Sequence, residues 1–292
     1  MRLVMIREIV DIGYPFFTVL VALWGACLGS FLNVCIYRIP RRLSIVTPRS
    51  HCPVCNRPIA WFDNIPLVSW VVLRGRCRRC GTRISPRYLV VEALTAVLML
   101  LVWFQYGDPP RPFGLQAVSG PHALAHGLAA FGLLLGGFVD CRHMILPDRV
   151  TLGGVVAGLV LSPLIPTLHG ETTALGGFLW GVGGAAFGFL LMHGLAVLGR
   201  LVFQKEALGF GDVKLMAAVG AFFGIRAVLA VLFLGSLLGA LVGVLLILTG
   251  RRTFGRHIPF GPYLVAAVFV WMFWGPVIWS GYLRWLGLDA GI

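Results

Sequence analysis

Acidic side chains are scarce in this chain: Asp and Glu number 11 in 292 residues, against 24 Lys and Arg. Charge of either sign is scarce as well, at 12%, about half of the roughly 25% found in ordinary soluble domains. That excludes a conventional water-soluble fold. No His-Glu-x-x-His stretch occurs, which excludes the helix-borne zinc protease motif. No Gly-x-Ser-x-Gly elbow occurs either, which excludes that serine nucleophile. The apolar stretch after Arg2 and Arg7 runs on to Ile36 with no small-residue cleavage site behind it, so it reads as a retained first span rather than a signal peptide.

Apolar material is abundant instead, at 58% hydrophobic residues. Several runs reach the roughly 20 residues that a helix needs to cross a bilayer. The expected fold class is therefore all-α, a polytopic membrane protein of about eight transmembrane helices. The candidate spans are 14–37, 88–106, 122–140, 150–168, 174–200, 213–224, 227–249 and 260–283, with 213–224 short for a full crossing. The 38 glycines suit close helix packing in lipid.

The basic residues are distributed unevenly. Eleven arginines fall between Arg38 and Arg87. With eight crossings, nineteen Lys and Arg lie on one side of the membrane and five on the other, which makes the richer side cytoplasmic. Residues 38–87, Asp140, Asp148 and Asp212 then share that face. A basic stretch beside membrane spans reads as contact with anionic lipid rather than with nucleic acid. Three regions follow: 1–37 as the first span, 38–87 as a cytoplasmic insert, and 88–292 as the remaining membrane core.

The insert has too little apolar material for a core of its own, and such small units need a staple. The staple is Cys52-Pro53-Val54-Cys55 with Cys77-Arg78-Arg79-Cys80. Two Cys-x-x-Cys turns aim four thiolates at one tetrahedral ion, the pattern of a structural zinc site. A reducing compartment argues against disulfides.

With acids so rare, their placement matters. Asp140 closes the apolar run Leu133 to Val139, where a helix C-terminus disfavours an anion; a catalytic role stands against an ion pair with Arg142 or Arg149. Asp212 follows Gly209-Phe210-Gly211, where a helix N-cap and a catalytic carboxylate are equally good readings. Asp148, after Pro147, suits a helix start. Glu92, inside the second span, is expected to pair with Arg87 or Arg38 or to meet substrate. Asp140 and Asp212 on one face make a candidate aspartyl protease pair, two carboxylates sharing one proton and activating water. A proton- or cation-coupled membrane transporter is the competing class, but it calls for midplane charges and repeated halves, and neither is in the sequence. A zinc-loop assembly scaffold explains the insert and leaves the two aspartates without a role.

Five ordered blocks carry a family resemblance. They are Gly29-Ser30-Phe31-Leu32-Asn33-Val34 with Tyr37-Arg38-Ile39-Pro40; the insert, with Cys52-Pro53-x-Cys55, Asn64-Ile65-Pro66 and Arg74-Gly75-Arg76-Cys77; Asp140 with Leu146-Pro147-Asp148; Gly209-Phe210-Gly211-Asp212-Val213-Lys214; and Ile258-Pro259-Phe260-Gly261-Pro262-Tyr263. The chain thereby resembles the type IV prepilin peptidases, aspartyl proteases of the Gly-x-Gly-Asp type. The resemblance implies a bacterial inner-membrane enzyme that removes the leader of prepilins and pseudopilins on the cytoplasmic side. It implies Asp140 and Asp212 as the catalytic pair, with Gly209, Gly211, Asp148 and Lys214 supporting the loop, and Cys52, Cys55, Cys77 and Cys80 as zinc ligands. It also implies N-methylation of the new N-terminus from S-adenosylmethionine, for which no binding residue is assigned; Gly25, Asn33 and Arg38 mark the region considered. The stretch around Thr167-Leu168-His169-Gly170-Glu171 is longer than the family pattern and falls on the outer side.

Overall fold

The computed structural model of the chain describes residues 2–106, 120–204, 208–250 and 259–287, with 2–14 and 203 described as backbone only. Ile258 of the last sequence block lies outside the described residues. The described residues form eight α-helices: α1 (Arg2–Arg38), α2 (Val68–Val72), α3 (Arg87–Tyr106), α4 (Gly120–His143), α5 (Asp148–Leu164), α6 (Ala174–Phe203), α7 (Phe210–Leu248) and α8 (Gly261–Trp285). The all-α expectation holds. Six of the helices are long and apolar enough to cross a membrane. The short α2 is excluded by its length, and α5, at 17 residues, is also below that length. The expected segments 213–224 and 227–249 both fall on α7, the second ending on its C-cap, Thr249.

The chain divides into two compact units, residues 1–131 and 132–292, with α4 passing from one to the other. In the first unit α1 and α3 run antiparallel at close range. A Cβ on Gly29 would lie 2.6 Å from the Cα of Glu92, and one on Gly25 would lie 2.9 Å from the Cα of Ala96. Glycine at these positions is what lets the two backbones meet, the usual device for helix contact in lipid. Between α1 and α3 the insert folds back on itself. Arg38, buried at the end of α1, donates to the carbonyls of Ser44 (2.8 Å) and Pro48 (2.7 Å).

In the second unit α5, α6, α7 and α8 pack around a core of Leu146, Val213, Met216, Val228, Val231, Leu264 and Val268. Gly184 of α6 lies so close to Gly220 of α7 that neither position has room for a Cβ. Gly188 meets the backbone of Met216 in the same way.

Helix α7 is broken at Gly224, whose φ of 76° and ψ of −177° lie outside the helical region and are open in practice only to glycine. The break reverses the chain. Gly211 near one end meets Leu146, Leu146 meets Gly261, and Gly239 beyond the break meets Phe260 and Tyr263 beside Gly261. A straight helix would hold Gly211 and Gly239 about 42 Å apart. The two arms therefore double back, which returns the chain to the level of Asp212. The first arm, Phe210 to Phe223, is about 21 Å long.

Candidate active site and cysteine cluster

Asp140 and Asp212 are both buried, at 6% and 8% exposure. They lie near enough for the charge on one to act on the other. Each is received by a helix N-terminus. The backbone N–H of Gly261, the first residue of α8, donates to the Asp140 carboxylate. The backbone N–H of Gly209 donates to the Asp212 carboxylate. Asp212 is the third residue of α7, and Gly209 is the N-cap. So Asp212 is not itself the cap; it reaches back to the cap residue's N–H, as an acid at that position does.

Asp140 sits near the C-terminus of its own helix, an unfavourable place for an anion. The N-terminus of α8 offsets that placement. Among the described residues neither Arg142 nor Arg149 pairs with it. Leu146 fills the space between the two acids' supports: its side chain lies against Gly211 on one side and Gly261 on the other. A Cβ on Gly261 would fall 2.5 Å from Oδ2 of Asp140. Gly261 is thus required twice, for its N–H and for its missing side chain. Sequence reasoning gave it no role, although it stands in Pro259-Phe260-Gly261-Pro262, a stretch whose two prolines and glycine signal a turn into a helix.

Asp148 lies apart in character. It is 63% exposed at its side chain and is held by Lys214 Nζ at 2.6 Å. This pair ties the start of α5 to the start of α7 and accounts for the charge on Asp148.

The four cysteines come together in the first unit. The sulfurs of Cys52, Cys55, Cys77 and Cys80 all lie within 4.8 Å of one another, and Cys52 Sγ is 3.8 Å from Cys80 Sγ. Thiolates at about 2.3 Å from a tetrahedral ion stand about 3.8 Å apart, so the set fits a four-sulfur metal site. The two knuckles repeat one backbone pattern. Cys52 N–H donates to Arg57 O and Asn56 N–H to Cys52 O; Cys77 N–H donates to Thr82 O and Gly81 N–H to Cys77 O. Both turns need a positive φ just after the second cysteine, and Asn56 (53°) and Gly81 (70°) supply it. That Cys-x-x-Cys-Asn/Gly signal was readable and was missed. Backbone N–H groups of Cys55 and Val54 pull the Cys52 thiol down to about 6, toward the thiolate that ligates metal.

Glu92 pairs with neither Arg87 nor Arg38. Its Oε2 accepts from Leu67 N–H at 2.8 Å, at the start of α2. Glu92 thus clips the insert to α3. Of the three residues considered for a methyl-donor region, Gly25 serves helix contact and Arg38 closes the insert's first loop. Asn33 donates to Tyr88 O at 3.1 Å, while its Oδ1 is buried without a partner.

Residues 23–106, which include the four cysteines, match the bacterial peptidase A24 N-terminal domain. Residues 127–244, which include both aspartates, match the type IV leader peptidase family. The chain is 43% identical over 244 residues to the prepilin leader peptidase/N-methyltransferase of Myxococcus xanthus, covering 82% of this chain and 67% of that protein. It is 37% identical over 289 residues to the protein of that name in Aeromonas salmonicida, covering 90% and 93%. With that of Pseudomonas aeruginosa it shares 33% over 294 residues, covering 93% and 95%. No solved structure matches the chain.

Proposed function

Because this chain belongs to the type IV leader peptidase family, we propose that it cleaves prepilin and pseudopilin leaders with Asp140 and Asp212 and then N-methylates the product. The observation that carries the proteolytic reading is the pair itself. Two buried acids, distant in sequence, lie close enough for the charge of Asp140 to act on Asp212, and each is met by a backbone N–H.

Two carboxylates at close range hold one proton between them. The ionised partner takes a proton from water as the water oxygen bonds to the scissile carbonyl carbon. The protonated partner hydrogen-bonds the carbonyl oxygen, and a proton passes to the amine as the C–N bond breaks. Gly209, lacking a side chain, leaves room for an extended substrate backbone beside Asp212, whereas the space at Gly211 is taken by Leu146. Asp148 and Lys214 set the relative position of α5 and α7 and take no proton from substrate. Asp148→Asn is therefore expected to leave leader cleavage within about fivefold of wild type, since an exposed ion pair contributes about 1 kcal/mol or less. A loss as large as that of a dyad variant, read in the same cleavage assay, would move Asp148 into the catalytic pair.

Cys52, Cys55, Cys77 and Cys80 would hold a zinc ion that folds the insert and takes no part in the reaction. S-adenosylmethionine supplies the methyl group when bound. The buried, unpartnered Oδ1 of Asn33 fits a hydrogen-bond donor on that molecule. The charge bias supports a cytoplasmic placement of both aspartates and the insert, and the family supports the bacterial inner membrane, with the arginines of the insert against anionic lipid.

Co-expression with a prepilin, followed by intact mass of the product, tests both activities. The expected product lacks its leader and carries one extra methyl mass. An uncut prepilin would overturn the peptidase reading; a cut but unmethylated one would remove the transferase.

A further inference from the structure

The break of α7 at Gly224 ends its first arm as a helix end does, so the last carbonyls of that arm have no partner within it. Ala221 is among them, and it is buried. A buried carbonyl left unpaired costs free energy comparable to a lost hydrogen bond. The partner comes from another helix. Ser162 of α5 offers its hydroxyl to Ala221 O at 3.2 Å and to Gly158 O at 2.7 Å.

That hydroxyl carries a single proton, and the two carbonyls share it. The third contact of Ser162 Oγ, with His169 Nε2 at 2.9 Å, is therefore donated by the histidine. The ring is fixed as the form with a proton on Nε2. Burial holds it below its ordinary pKa, ahead of the opposing pull of Ala221 O and Glu171, so it is neutral at pH 7. The 3₁₀ turn Pro166–His169, closed by Gly170 at φ 77°, presents the ring to this point. It lies over the break itself: a Cβ on Gly224 would be 3.6 Å from His169 Nδ1.

The surroundings leave the group little freedom. Ser162 is fully buried. A Cβ on Gly181 of α6 would be 2.5 Å from Ser162 Oγ, and one on Gly158 of α5 would be 2.7 Å from Ala221 Cβ. The contacts of Gly184 with Gly220 and of Gly188 with Met216 hold the arm by packing alone. The bonds through Ser162 and His169 add direction at its end. Asp212 lies about 14 Å from Ala221 along the same arm, and a closely packed interior transmits a displacement over that length.

We propose that His169, acting through Ser162 and the Ala221 carbonyl, is a positioning residue for Asp212, fixing the depth and rotation of the arm from the end opposite the dyad. The role rests on the peptidase reading and deepens it. His169 touches neither substrate nor reacting atoms, and it stands outside the five motif blocks, in the stretch that exceeds the family pattern.

The test uses the full chain in lipid nanodiscs and one prepilin at varied concentration. His169→Ala and Ser162→Ala should each lower kcat about 10- to 100-fold, the scale of misplacing a reacting group by about 1 Å. KM should stay within about twofold, because no substrate contact is removed. The double variant should be no slower than the worse single one, since both residues act through one carbonyl. His169→Gln should recover kcat to within about threefold of wild type, because its amide nitrogen reaches the place of Nε2 and donates there. His169→Asn, one methylene shorter, should not. The two amide variants keep the comparison open if an alanine variant folds poorly. An unchanged kcat in His169→Ala, a loss carried by KM, or equal activity of the Gln and Asn variants would overturn the role. A wild type that cuts no prepilin would instead defeat the peptidase reading, and the positioning role with it.

Discussion

Asp140→Asn and Asp212→Asn are each expected to lower leader cleavage by about 10³-fold or more, the scale of losing an acid–base group in the transition state. Asparagine has nearly the shape of aspartate, and its carbonyl oxygen still accepts a hydrogen bond. In Asp140→Asn the donation from Gly261 N–H survives, and in Asp212→Asn so does that from Gly209. Yield, membrane insertion and thermal unfolding should therefore stay close to wild type while the chemistry fails. The double variant should be no slower than the worse single variant, because groups that act as a unit do not add. Prepilin processing by each purified variant, read by mass, measures this. Cleavage at the wild-type rate in either single variant would dissolve the pair.

Removal of metal has the largest expected effect on stability. A structural zinc contributes apparent free energies of about 10–16 kcal/mol, comparable with the whole stability of a domain. Apart from the sulfur cluster, the insert is tied by short polar contacts rather than by a core, among them the Arg38 clamp, the Glu92 clip, the Ser69–Phe62 and Trp70–Ile84 bonds, and an Arg78–Asp63 pair with N–O distances of 2.7 to 2.9 Å. Trp61 (80% exposed) and Val46 (79% exposed) show how little of its apolar surface is internal. Chelation, or Cys77→Ser, should open the insert. All but Arg57, which precedes proline, of the eleven arginines between Arg38 and Arg87 then become trypsin sites, so rapid cutting confined to that stretch is the expected readout. Elemental analysis should find one zinc per untreated chain. Protein without metal, resisting trypsin and presenting four titratable thiols, would contradict the zinc assignment.

The sequence made some of this legible and hid the rest for physical reasons. The all-helical class was readable because hydrocarbon demands long apolar runs with internal hydrogen bonding. The cysteine cluster was readable because its spacing is local. The aspartates stood out because acids are rare at membrane edges. What stayed hidden is non-local. Nothing near Asp140 in the sequence announces that the N-terminus of α8, some 120 residues on, receives its charge. The role of Glu92 was misread for the same reason: a backbone N–H at Leu67 leaves no mark in composition, so a cationic partner was the natural guess. The division of 213–249 at Gly224-Ile225-Arg226 was placed correctly in sequence, yet only the contacts of Gly211, Gly239 and Gly261 reveal that the chain turns back there.

That reversal has a mechanical corollary. With the turn anchored at Gly224, Asp212 hangs at a depth fixed by counting residues, like a plumb bob on a string of set length. One residue added to or removed from the first arm would shift the acid by about 1.5 Å along the axis and swing it about 100° around it. The swing matters more than the shift, because it aims the carboxylate away from Asp140 altogether. The close packing at Gly220 constrains the side chains of that arm; the aim of Asp212 constrains its length.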